Sequence, residues 1–548
     1  MGLDFTKPYL DIYKAGGVAW DIRVEPKTLH SLLFDSAKNN PDNTAIIFYD
    51  RKITYGQLAG CVKRVASALY ELGLRKGDRV SLMLPNCPDF VISYYAILSM
   101  GGVVVNTNPM YVEREIEYQV NDSGSKMIIT LADLYFRIKN IRPNTGLEKV
   151  ILTSLGGKSG EMPDDTLWLP DLYAGDLPEA PQADIDPVED IALLQYTGGT
   201  TGVPKAAMLT HFNLYANVCQ SDHFFSGGSW KQRIIGVLPF FHVAGMTSCM
   251  NICIAAGTTM IPVAKFLPAD VAGIISKYEP TFFNGVPTMY TALLNSPELK
   301  DFNDYGKVPF YKSGSGPIPD ELMQAMKAKL EGTNSIINEG YGLSEASPTV
   351  ISCPPFDLKY RRGSIGIPYP GTHAAVVDME TGDRPLPPGE VGELIIMGPQ
   401  VMKGYWNRPD ETKKALRNGW LYTGDMARMD EDGYFYIVDR KKDIIIAGGY
   451  NIYPREVEEV IYQHPKVQET IVAGIPHQYR GETVKAYIVL KQGHSATEEE
   501  IIAFCKERLA PYKVPKLFEF RLELPKTSVG KLLKRRLVDE EKEKLGVK

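Results

Sequence analysis

The sequence predicts an α/β protein. We expect a large N-terminal domain of stacked αβαβα-type sheets with a small β-rich subdomain, followed by a small mobile α+β C-terminal domain. Three observations predict this: strand and helix patterns alternate up to residue 362, prolines and glycines crowd the chain from 363, and a new α+β pattern starts after 438. Strands that alternate with helices favour parallel sheets covered on both faces. The expected limits are therefore 1–438, divided at about 362/363, and 439–548.

The overall composition of the chain limits the classes of function that it can have. The chain has 548 residues, 44% hydrophobic and 23% charged, which is ordinary for a globular protein. Its net charge of −6 argues against a nucleic-acid partner, whose binding face is usually basic. Its seven scattered cysteines form no C-x-x-C pair, so we expect reduced thiols in a cytoplasmic protein. No apolar run reaches the length of a membrane span.

The first region alternates amphipathic helices with apolar strands. The strands end at loops on one edge of each sheet, where α/β proteins bind ligands. The predicted helices are 29–38, 55–72, 268–277, 287–294 and 320–330, and the predicted strands are 44–49, 79–84, 126–130, 191–195, 234–238, 281–284 and 335–337.

The remaining regions differ in character. The segment 155–186 is rich in glycine, aspartate and proline and predicts an exposed connection. Short strands are expected at 392–397 and 434–438 in the β-rich subdomain. The C-terminal region is expected to contain strands 443–447 and 486–490 and helices 454–463 and 498–508.

The most informative segment is the loop that follows the buried strand 191–195. It contains three glycines and three threonines and ends in a lysine: Thr197, Gly198, Gly199, Thr200, Thr201, Gly202 and Lys205. Glycines let backbone N–H groups close around an anion, hydroxyls add donors or metal ligands, and lysine adds charge. Val203 and Pro204 separate Gly202 from Lys205, so this is not the Walker A pattern. The loop predicts a polyphosphate cradle; alone, it also fits a flexible surface loop.

Five further segments fit the same chemistry. Tyr341, between two glycines, could stack on a purine, and Glu345 could hold Mg²⁺. Asp425 could accept both hydroxyls of a ribose, as acidic residues do in dinucleotide sites. Each segment alone also fits an ordinary turn, a packed histidine or, around Lys531, a solvated basic tail; their order along the chain favours the functional interpretation. The segments are 240–242, 313–317, 338–345, 422–425 and 526–531.

With these segments, the chain resembles the adenylate-forming superfamily of acyl-CoA synthetases, luciferases and peptide-synthetase adenylation domains, from about residue 29 to 537. It is most similar to the long-chain fatty-acid–CoA ligases. The similarity lies in the signature at 340–348 and in the N-terminal segment 22–33. The family usually has threonine where this chain has Ser344, and the hydroxyl is kept.

The resemblance implies a role for each matching residue of the nucleotide site. Thr197 to Lys205 would surround the β- and γ-phosphates, with Thr197 and Glu345 near Mg²⁺. Ser344 would face the α-phosphate, and Lys531 would be the lysine of the adenylation step. Asp425 and Arg440 would bind the ribose. Lys442 matches a basic position in the motif of the family. The residues around the adenine and the entrance of the acyl pocket would be Gly314, Ser315, Gly316, Glu339, Gly340 and Tyr341.

The resemblance also places an acyl pocket, a hinge and a coenzyme A site. His242 would lie beside the pocket, and Asp439 would be the hinge of the C-terminal domain. The small and apolar residues Ala244, Gly245, Gly285 and Val286 suit an open apolar tunnel. Gly448, Gly449 and Tyr450 would approach the pantetheine of CoA. Some relatives have lysine and tryptophan where Ile446 and Asn451 stand, so contacts from these two positions are not carried over.

The implied function is ATP-dependent ligation of a medium- to long-chain fatty acid to coenzyme A through an acyl-adenylate, releasing AMP and pyrophosphate. ATP, CoA and the acid would be substrates and Mg²⁺ the metal. An aryl- or other carboxylic acid–CoA ligase is the alternative on the same scaffold. A carrier-protein adenylating enzyme, a nucleotide sensor without turnover and a luciferase-like oxygenase are weaker alternatives. The resemblance leaves a homodimer and a peripheral membrane contact open.

Overall fold

The computed structural model describes residues 5–157, 162–175, 177–197, 204–226, 233–357, 359, 361–447, 450–477, 481–527 and 530–545. These residues confirm the predicted α/β fold class, with several sheets in a large N-terminal part and a small α+β C-terminal part. No helix in these ranges is long and apolar enough to cross a membrane.

The helices lie close to their predicted positions. Between α9 and α10 the helix continues as a π-helix over Met246–Asn251. The α-helices are α1 Tyr9–Ala15, α2 Ser31–Asn39, α3 Tyr55–Glu71, α4 Pro88–Ser99, α5 Glu113–Ser123, α6 Tyr135–Ile141, α7 Leu169–Ala174, α8 His211–Ser226, α9 Val243–Gly245, α10 Ile252–Ala255, α11 Pro268–Tyr278, α12 Pro287–Asn295, α13 Asp320–Leu330, α14 Pro409–Ala415, α15 Pro454–Tyr462, α16 Glu498–Lys506 and α17 Lys534–Leu545.

The strands form four sheets. They are β1 Thr44–Phe48, β2 Arg51–Thr54, β3 Arg79–Met83, β4 Val103–Asn106, β5 Met127–Leu131, β6 Lys149–Thr153, β7 Leu167–Trp168, β8 Ile191–Thr197, β9 Lys205–Thr210, β10 Arg233–Gly236, β11 Thr259–Pro262, β12 Phe282–Gly285, β13 Phe310–Ser313, β14 Ile336–Gly342, β15 Thr349–Ser352, β16 Ile367–Pro368, β17 His373–Val377, β18 Gly392–Met397, β19 Gly404–Tyr405, β20 Leu416–Arg417, β21 Trp420–Met429, β22 Phe435–Arg440, β23 Ile445–Ala447, β24 Tyr450–Ile452, β25 Val467–His477, β26 Gly481–Leu490 and β27 Leu517–Phe520.

Two large sheets form the N-terminal layers. Their orders are β19-β9-β8-β4-β3-β5-β6-β7 and β16-β15-β14-β13-β12-β10-β11-β1-β2. The central strands are parallel, as predicted, whereas antiparallel strands close the edges: β9 and β19 in the first sheet, and β2, β15 and β16 in the second. Of these, β2 follows β1 through a tight turn, a connection that parallel neighbours cannot use, whereas β19 comes from a distant segment of the chain.

Buried helices lie between the two large sheets. In α4 the consecutive residues Phe90 to Leu98 are all buried, so this helix is apolar around its whole circumference. Asn86, just before α4, links the layers: its side-chain amide donates to the carbonyls of Gly236 (2.9 Å) and Leu238 (2.8 Å) and accepts from the Phe240 amide (2.7 Å). The turn after β10 is thereby fixed to the end of β3.

Two smaller sheets complete the chain. One has the order β17-β18-β21-β20, with β22 paired to β21; the other has β24-β23-β26-β25, with β27 paired to β26. Asp439 is the penultimate residue of β22, so the predicted hinge lies at a strand end. The helix α17 packs on the last sheet, where Leu537 is fully buried.

One expectation about an irregular segment is wrong, and the structure also excludes the alternative given for the basic stretch after Lys531. The connection 155–186 contains β7 and α7, because Trp168 and Leu169 supply apolar side chains that are buried. The stretch around Lys534 is not a solvated basic tail: it begins α17, whose apolar residues pack against β25 and β26.

Gly366 provides a test of the junction between β15 and the β-rich subdomain. Its φ is +99°, and an added Cβ would lie 1.9 Å from the backbone carbon of Ser352. We expect Gly366→Ala to destabilise the protein by more than about 3 kcal/mol, because backbone must shift. Gly363→Ala is the matched control: φ is +71° with open space around the Cβ, so only about 1–2 kcal/mol of conformational cost applies. Equal thermal unfolding midpoints for the two variants would contradict this account.

Candidate active site

A carboxylate, a guanidinium and a phenol meet where the β-rich subdomain faces β14. Asp425 and Arg440 are direct partners in the register of β21 and β22. The buried Asp425 carboxylate accepts a hydrogen bond from Arg440 Nε (3.2 Å) and a second from the Tyr341 hydroxyl. The structure therefore brings together three of the residues assigned to the nucleotide from the sequence.

The loop that carries Lys531 docks against the N-terminal domain. The hydroxyl of Thr288, in α12, donates to the carbonyl of Gly530 (3.0 Å), and the backbone N–H of Lys531 donates to Thr527 Oγ1 (3.0 Å). Gly530 has φ +79°, and a Cβ there would lie 2.5 Å from Thr288 Oγ1. Glycine is therefore required for this close approach.

Positive charge is concentrated around this contact. The side chain of Lys531 is exposed; desolvation by the protein around its amine, and then the positive charge of Arg440, lower the pKa of Lys531 to about 8. Burial, and then the charge of Lys531, lower the pKa of His242 to about 4. Burial and Arg440 likewise lower the pKa of Lys442. These groups share one electrostatic environment, in which a bound anion would stabilise the protonated amines.

The predicted phosphate loop closes the hairpin of β8 and β9. Thr197 and Lys205 are register partners, and Thr197 Oγ1 donates to the Lys205 carbonyl (3.4 Å). The Lys205 amine forms an ion pair with Glu411 and lies 5.5 Å from the ring centroid of Tyr405. The remaining predicted loop residues, Gly198, Gly199, Thr200, Thr201 and Gly202, lie outside the described residues.

Tyr405 connects the phosphate lysine to the predicted metal ligand. Its hydroxyl donates to Glu345 Oε1 (2.8 Å), while its ring lies beside the amine of Lys205. In the described part of the chain, no three His, Cys, Asp or Glu side chains form a metal cluster. Mg²⁺ commonly takes only one or two carboxylates and completes its shell with phosphate oxygens and water. The Glu345 carboxylate with the Thr197 hydroxyl is a donor set of that kind.

The glycine-rich turns form the walls of the site. Gly314 donates its N–H to the Gly285 carbonyl (3.2 Å), and Ser315 has a left-handed backbone with φ +63°. Glu339 is buried and accepts from the Ile318 amide (3.4 Å); burial raises its pKa to about 7. The other predicted residues of these turns are Gly316, which follows Ser315, Gly340 at the end of β14, and Ser344, which is buried at the start of a 3₁₀ turn.

The predicted acyl pocket is more closely packed than its small residues suggest. A Cβ on Gly245 would lie 2.3 Å from the Pro239 carbonyl, and one on Gly285 would lie 2.8 Å from the Phe283 ring. These glycines are therefore required by packing, and they do not by themselves indicate an open tunnel. His242 Nδ1 accepts from the Ala244 amide (3.2 Å), and Val286 is buried beside the Gly530 loop.

The hinge and coenzyme A predictions lie on the C-terminal side. The Asp439 carboxylate accepts from the backbone N–H groups of Arg440 (2.7 Å) and Arg455 (2.9 Å), which joins β22 to the first turn of α15. Gly448 and Gly449 lie outside the described residues. Tyr450 stacks on Tyr512 with ring centroids 4.6 Å apart. Its described contacts do not include the residues around Lys531.

Sequence reasoning missed the residues that connect the predicted ones. Thr288, Tyr405, Glu411 and Arg455 each contact a predicted site residue, but none lies in a glycine-rich motif. Only Tyr405 has a local signal in the sequence, as an aromatic residue directly after a glycine. The others are recognised only from contacts between distant segments.

The chain is similar to one family of known proteins over most of its length. The AMP-binding enzyme family matches residues 33–406, and the AMP-binding enzyme C-terminal domain matches residues 456–531. The chain is 47% identical to a long-chain-fatty-acid–CoA ligase of Bacillus subtilis, over 99% of both chains. It is 38% identical to the ligase of the same name from Escherichia coli O6:H1, over 95% of both chains.

Solved structures show the same fold. The crystal structure of ATP-bound MatB from Rhodopseudomonas palustris has a TM-score of 0.85 at 33% identity, covering 94% of this chain and 98% of that one. The apo form of the same protein, with the same coverage, has a TM-score of 0.74. The structure as a whole is therefore more similar to the ATP-bound form of that protein than to its apo form.

The shared electrostatic environment predicts the titration of His242. Its Nδ1 accepts a hydrogen bond, so the neutral ring carries its proton on Nε2, and we expect this form to persist from pH 8 down to about pH 5 because the pKa is about 4. Lys531→Met should raise the pKa of His242, since a neighbouring positive charge is removed, while burial keeps it below 6.5. NMR of histidine-labelled protein measures both values. A pKa that is unchanged in Lys531→Met would show that the amine does not face His242.

Proposed function

Because the chain belongs to the AMP-binding enzyme family, we propose that it is an AMP-forming long-chain fatty-acid–CoA ligase. It joins a fatty acid to coenzyme A at the expense of ATP, through an acyl-adenylate. One observation carries the proposal: Lys531, on the C-terminal domain, shares an electrostatic environment with the Asp425–Arg440 pair and His242. The names of the relatives at 47% and 38% identity support the substrate class.

In the first half-reaction an oxygen of the fatty-acid carboxylate attacks the α-phosphorus of ATP. The bond from that phosphorus to the bridging oxygen breaks, and pyrophosphate leaves. Both reactants are anions, so the site must offset their repulsion. Lys531 would bind the oxygens of the reacting phosphate and carboxylate, Lys205 the departing phosphates, and the Asp425–Arg440 pair the ribose. Fixed positive charges of this kind act without reorganisation during the reaction.

The residues present also fit a magnesium ion. Glu345, with the hydroxyl of Thr197, would hold Mg²⁺ together with phosphate oxygens of ATP. When bound, the ion would neutralise phosphate charge and orient the leaving pyrophosphate. Tyr405 would fix the Glu345 carboxylate through its hydrogen bond of 2.8 Å.

In the second half-reaction the thiol of CoA attacks the acyl carbonyl of the adenylate. The carbon–oxygen bond to AMP breaks, AMP leaves and the thioester remains. For this step we propose that the C-terminal domain rotates about Asp439, which withdraws Lys531 and presents the Gly448–Tyr450 turn. The greater similarity to ATP-bound MatB than to its apo form supports the assignment of the described arrangement to the first half-reaction.

An aryl-acid–CoA ligase is the alternative on this scaffold. The chain is 34% identical to a feruloyl-CoA synthase of an Amycolatopsis species, which is below its identity to the fatty-acid ligases. Fatty acids are therefore the favoured substrates. The homodimer stays a prediction from the resemblance, and the peripheral membrane contact stays a prediction from the sequence.

The proposed function is tested by separating the two half-reactions. With ATP, Mg²⁺ and acids from acetate to palmitate and cinnamate, we expect acid-dependent pyrophosphate release, largest with the longer fatty acids. AMP should appear in stoichiometric amounts with acyl-CoA only when CoA is added. Failure of every acid to release pyrophosphate would refute the proposal, and a maximum with cinnamate would favour the aryl alternative.

The pKa of Lys531 predicts the pH dependence of adenylation. The amine binds anions only when protonated, so kcat/KM for ATP, which reports the free enzyme, should fall as pH rises through about 8. Lys531→Arg should remove this fall from whatever activity remains, since arginine stays charged to above pH 12. The measurement is pyrophosphate release between pH 6 and pH 9.5. An identical decline in Lys531→Arg would assign the titration to another group.

Gly530 tests whether docking of its loop positions Lys531. Gly530→Ala should lower ATP–pyrophosphate exchange by about 10²–10³-fold, because the Cβ would collide with Thr288 and displace the lysine. Thioester formation from preformed acyl-adenylate should be largely spared. Gly493→Ala is the control, with the same φ of +79° and open space around its Cβ. If both variants lose exchange equally, backbone strain rather than displacement of Lys531 explains the effect.

A further inference from the structure

A buried lysine beside the predicted acyl pocket has no role in the mechanism above. Lys312, in β13, is only 5% exposed. Its amine donates one hydrogen bond, to the Tyr369 hydroxyl (3.3 Å), and lies 5.1 Å from the ring centroid of Phe225. Among the described residues, the titratable groups that act on this amine are the thiols of Cys353 and Cys249, and no carboxylate forms an ion pair with it. An unpaired buried cation is unfavourable, so its presence at this position requires a reason.

The position of Lys312 in the sheet places it next to the pocket segments. Lys312 pairs in register with Asn284 of β12, directly before the pocket residue Gly285. The Asn284 amide donates to Ser248 Oγ (2.7 Å), and that hydroxyl donates to the carbonyl of Ala244. A row of buried polar side chains thus leads from the pocket residue Ala244 toward β13.

A second polar group lies beside the amine without a partner. The hydroxyl of Ser352 is fully buried and makes no hydrogen bond. The point where a Cβ of Gly340 would stand is 3.2 Å from this hydroxyl and 3.1 Å from the Lys312 amine. Two donors are therefore close together in an apolar environment, and neither is saturated.

The chemistry of these groups indicates what they would bind. A terminal methyl group would leave both the amine and the hydroxyl unsatisfied, whereas an oxygen acceptor would pair with them. Burial lowers the pKa of Lys312 to about 8, so the amine is mostly protonated at neutral pH and would favour a hydroxyl, carbonyl or carboxylate oxygen. The rings of Phe225 and Tyr369 flank the amine and restrict its direction.

We propose that Lys312 is a specificity-determining residue that binds an oxygen acceptor at the end of the acid remote from its reacting carboxyl group. The preferred substrates are then fatty acids with an oxygenated distal end rather than purely hydrocarbon tails. This inference rests on the proposed ligase function and narrows its substrate class.

The test compares acids of one chain length: palmitate, ω-hydroxypalmitate and the matching α,ω-dicarboxylate. We expect wild-type kcat/KM for pyrophosphate release to favour an oxygenated acid. Lys312→Met, which keeps the side-chain length, should reduce that preference by at least about tenfold, because sites built to hydrogen-bond an oxygen discriminate strongly. Lys300→Met, which removes an exposed lysine outside the pocket, should match the wild type.

The outcomes separate this inference from the function on which it rests. Normal turnover of palmitate, with a preference that changes by less than about threefold in Lys312→Met, would overturn the role of Lys312 and leave the ligase intact. A wild-type preference for palmitate over both oxygenated acids would overturn it without any variant. No pyrophosphate with any acid would overturn the ligase function, and this inference with it. The thermal unfolding midpoint of Lys312→Met should equal or exceed the wild-type value, since a buried unpaired cation is removed.

Discussion

Positive charge clustered where the Lys531 loop meets α12 is the constraint on which the rest of the site depends. Protein surrounding the cleft, and neighbouring cations, lower the pKa values of Lys531, Lys442 and His242. The carboxylates that act on the two lysines are Asp425 and Asp443, and Asp425 is already engaged by Arg440 and Tyr341. The carboxylates only partly offset the lowered pKa of either amine, so a bound anion would add the negative charge that favours the protonated lysines. Bound polyphosphate and a carboxylate would supply this negative charge. The site therefore suits a reaction between two anions.

The fold holds these charges in place through contacts that cross between segments far apart in the chain. Asn86 fixes the turn after β10 to the end of β3, and the hydroxyl of Thr288 fixes the Gly530 loop to α12. Both contacts use single polar side chains that bind backbone groups, so they specify position more than they add stability. The Asp439 carboxylate differs, since it binds two backbone N–H groups that both follow the predicted hinge in the chain. The Arg455 guanidinium returns across the hinge to the Ile437 carbonyl (2.7 Å), so rotation about Asp439 must break this hydrogen bond.

Sequence patterns predict the parts of this structure that are determined locally. Helix α13 begins and ends at the predicted residues, with Asp320 in its first turn and Lys329 in its last. Helix α4 shows no amphipathic period, because it is buried on all sides, and periodicity does not reveal it.

Some residues of the site are marked by local sequence motifs, whereas others are revealed only by the fold. Glycine turns and isolated carboxylates mark Tyr341, Asp425 and Lys531, and the structure brings these residues together. The residues that bind Gly530, Lys205 and Asp439, and the buried Lys312, are specified by tertiary packing and carry no motif; the three partners are Thr288, Glu411 and Arg455. The roles assigned to the individual residues, and the domain limits, stay predictions.

The ion pair between Lys205 and Glu411 has a consequence for the order of events. The phosphate lysine already holds a carboxylate of the protein, so an incoming triphosphate must exchange places with Glu411 rather than fill an empty position. Once pyrophosphate departs, the same carboxylate can recapture the amine. Glu411 would thus act as a resident counter-ion that returns the loop to its resting state and discourages the product from binding again.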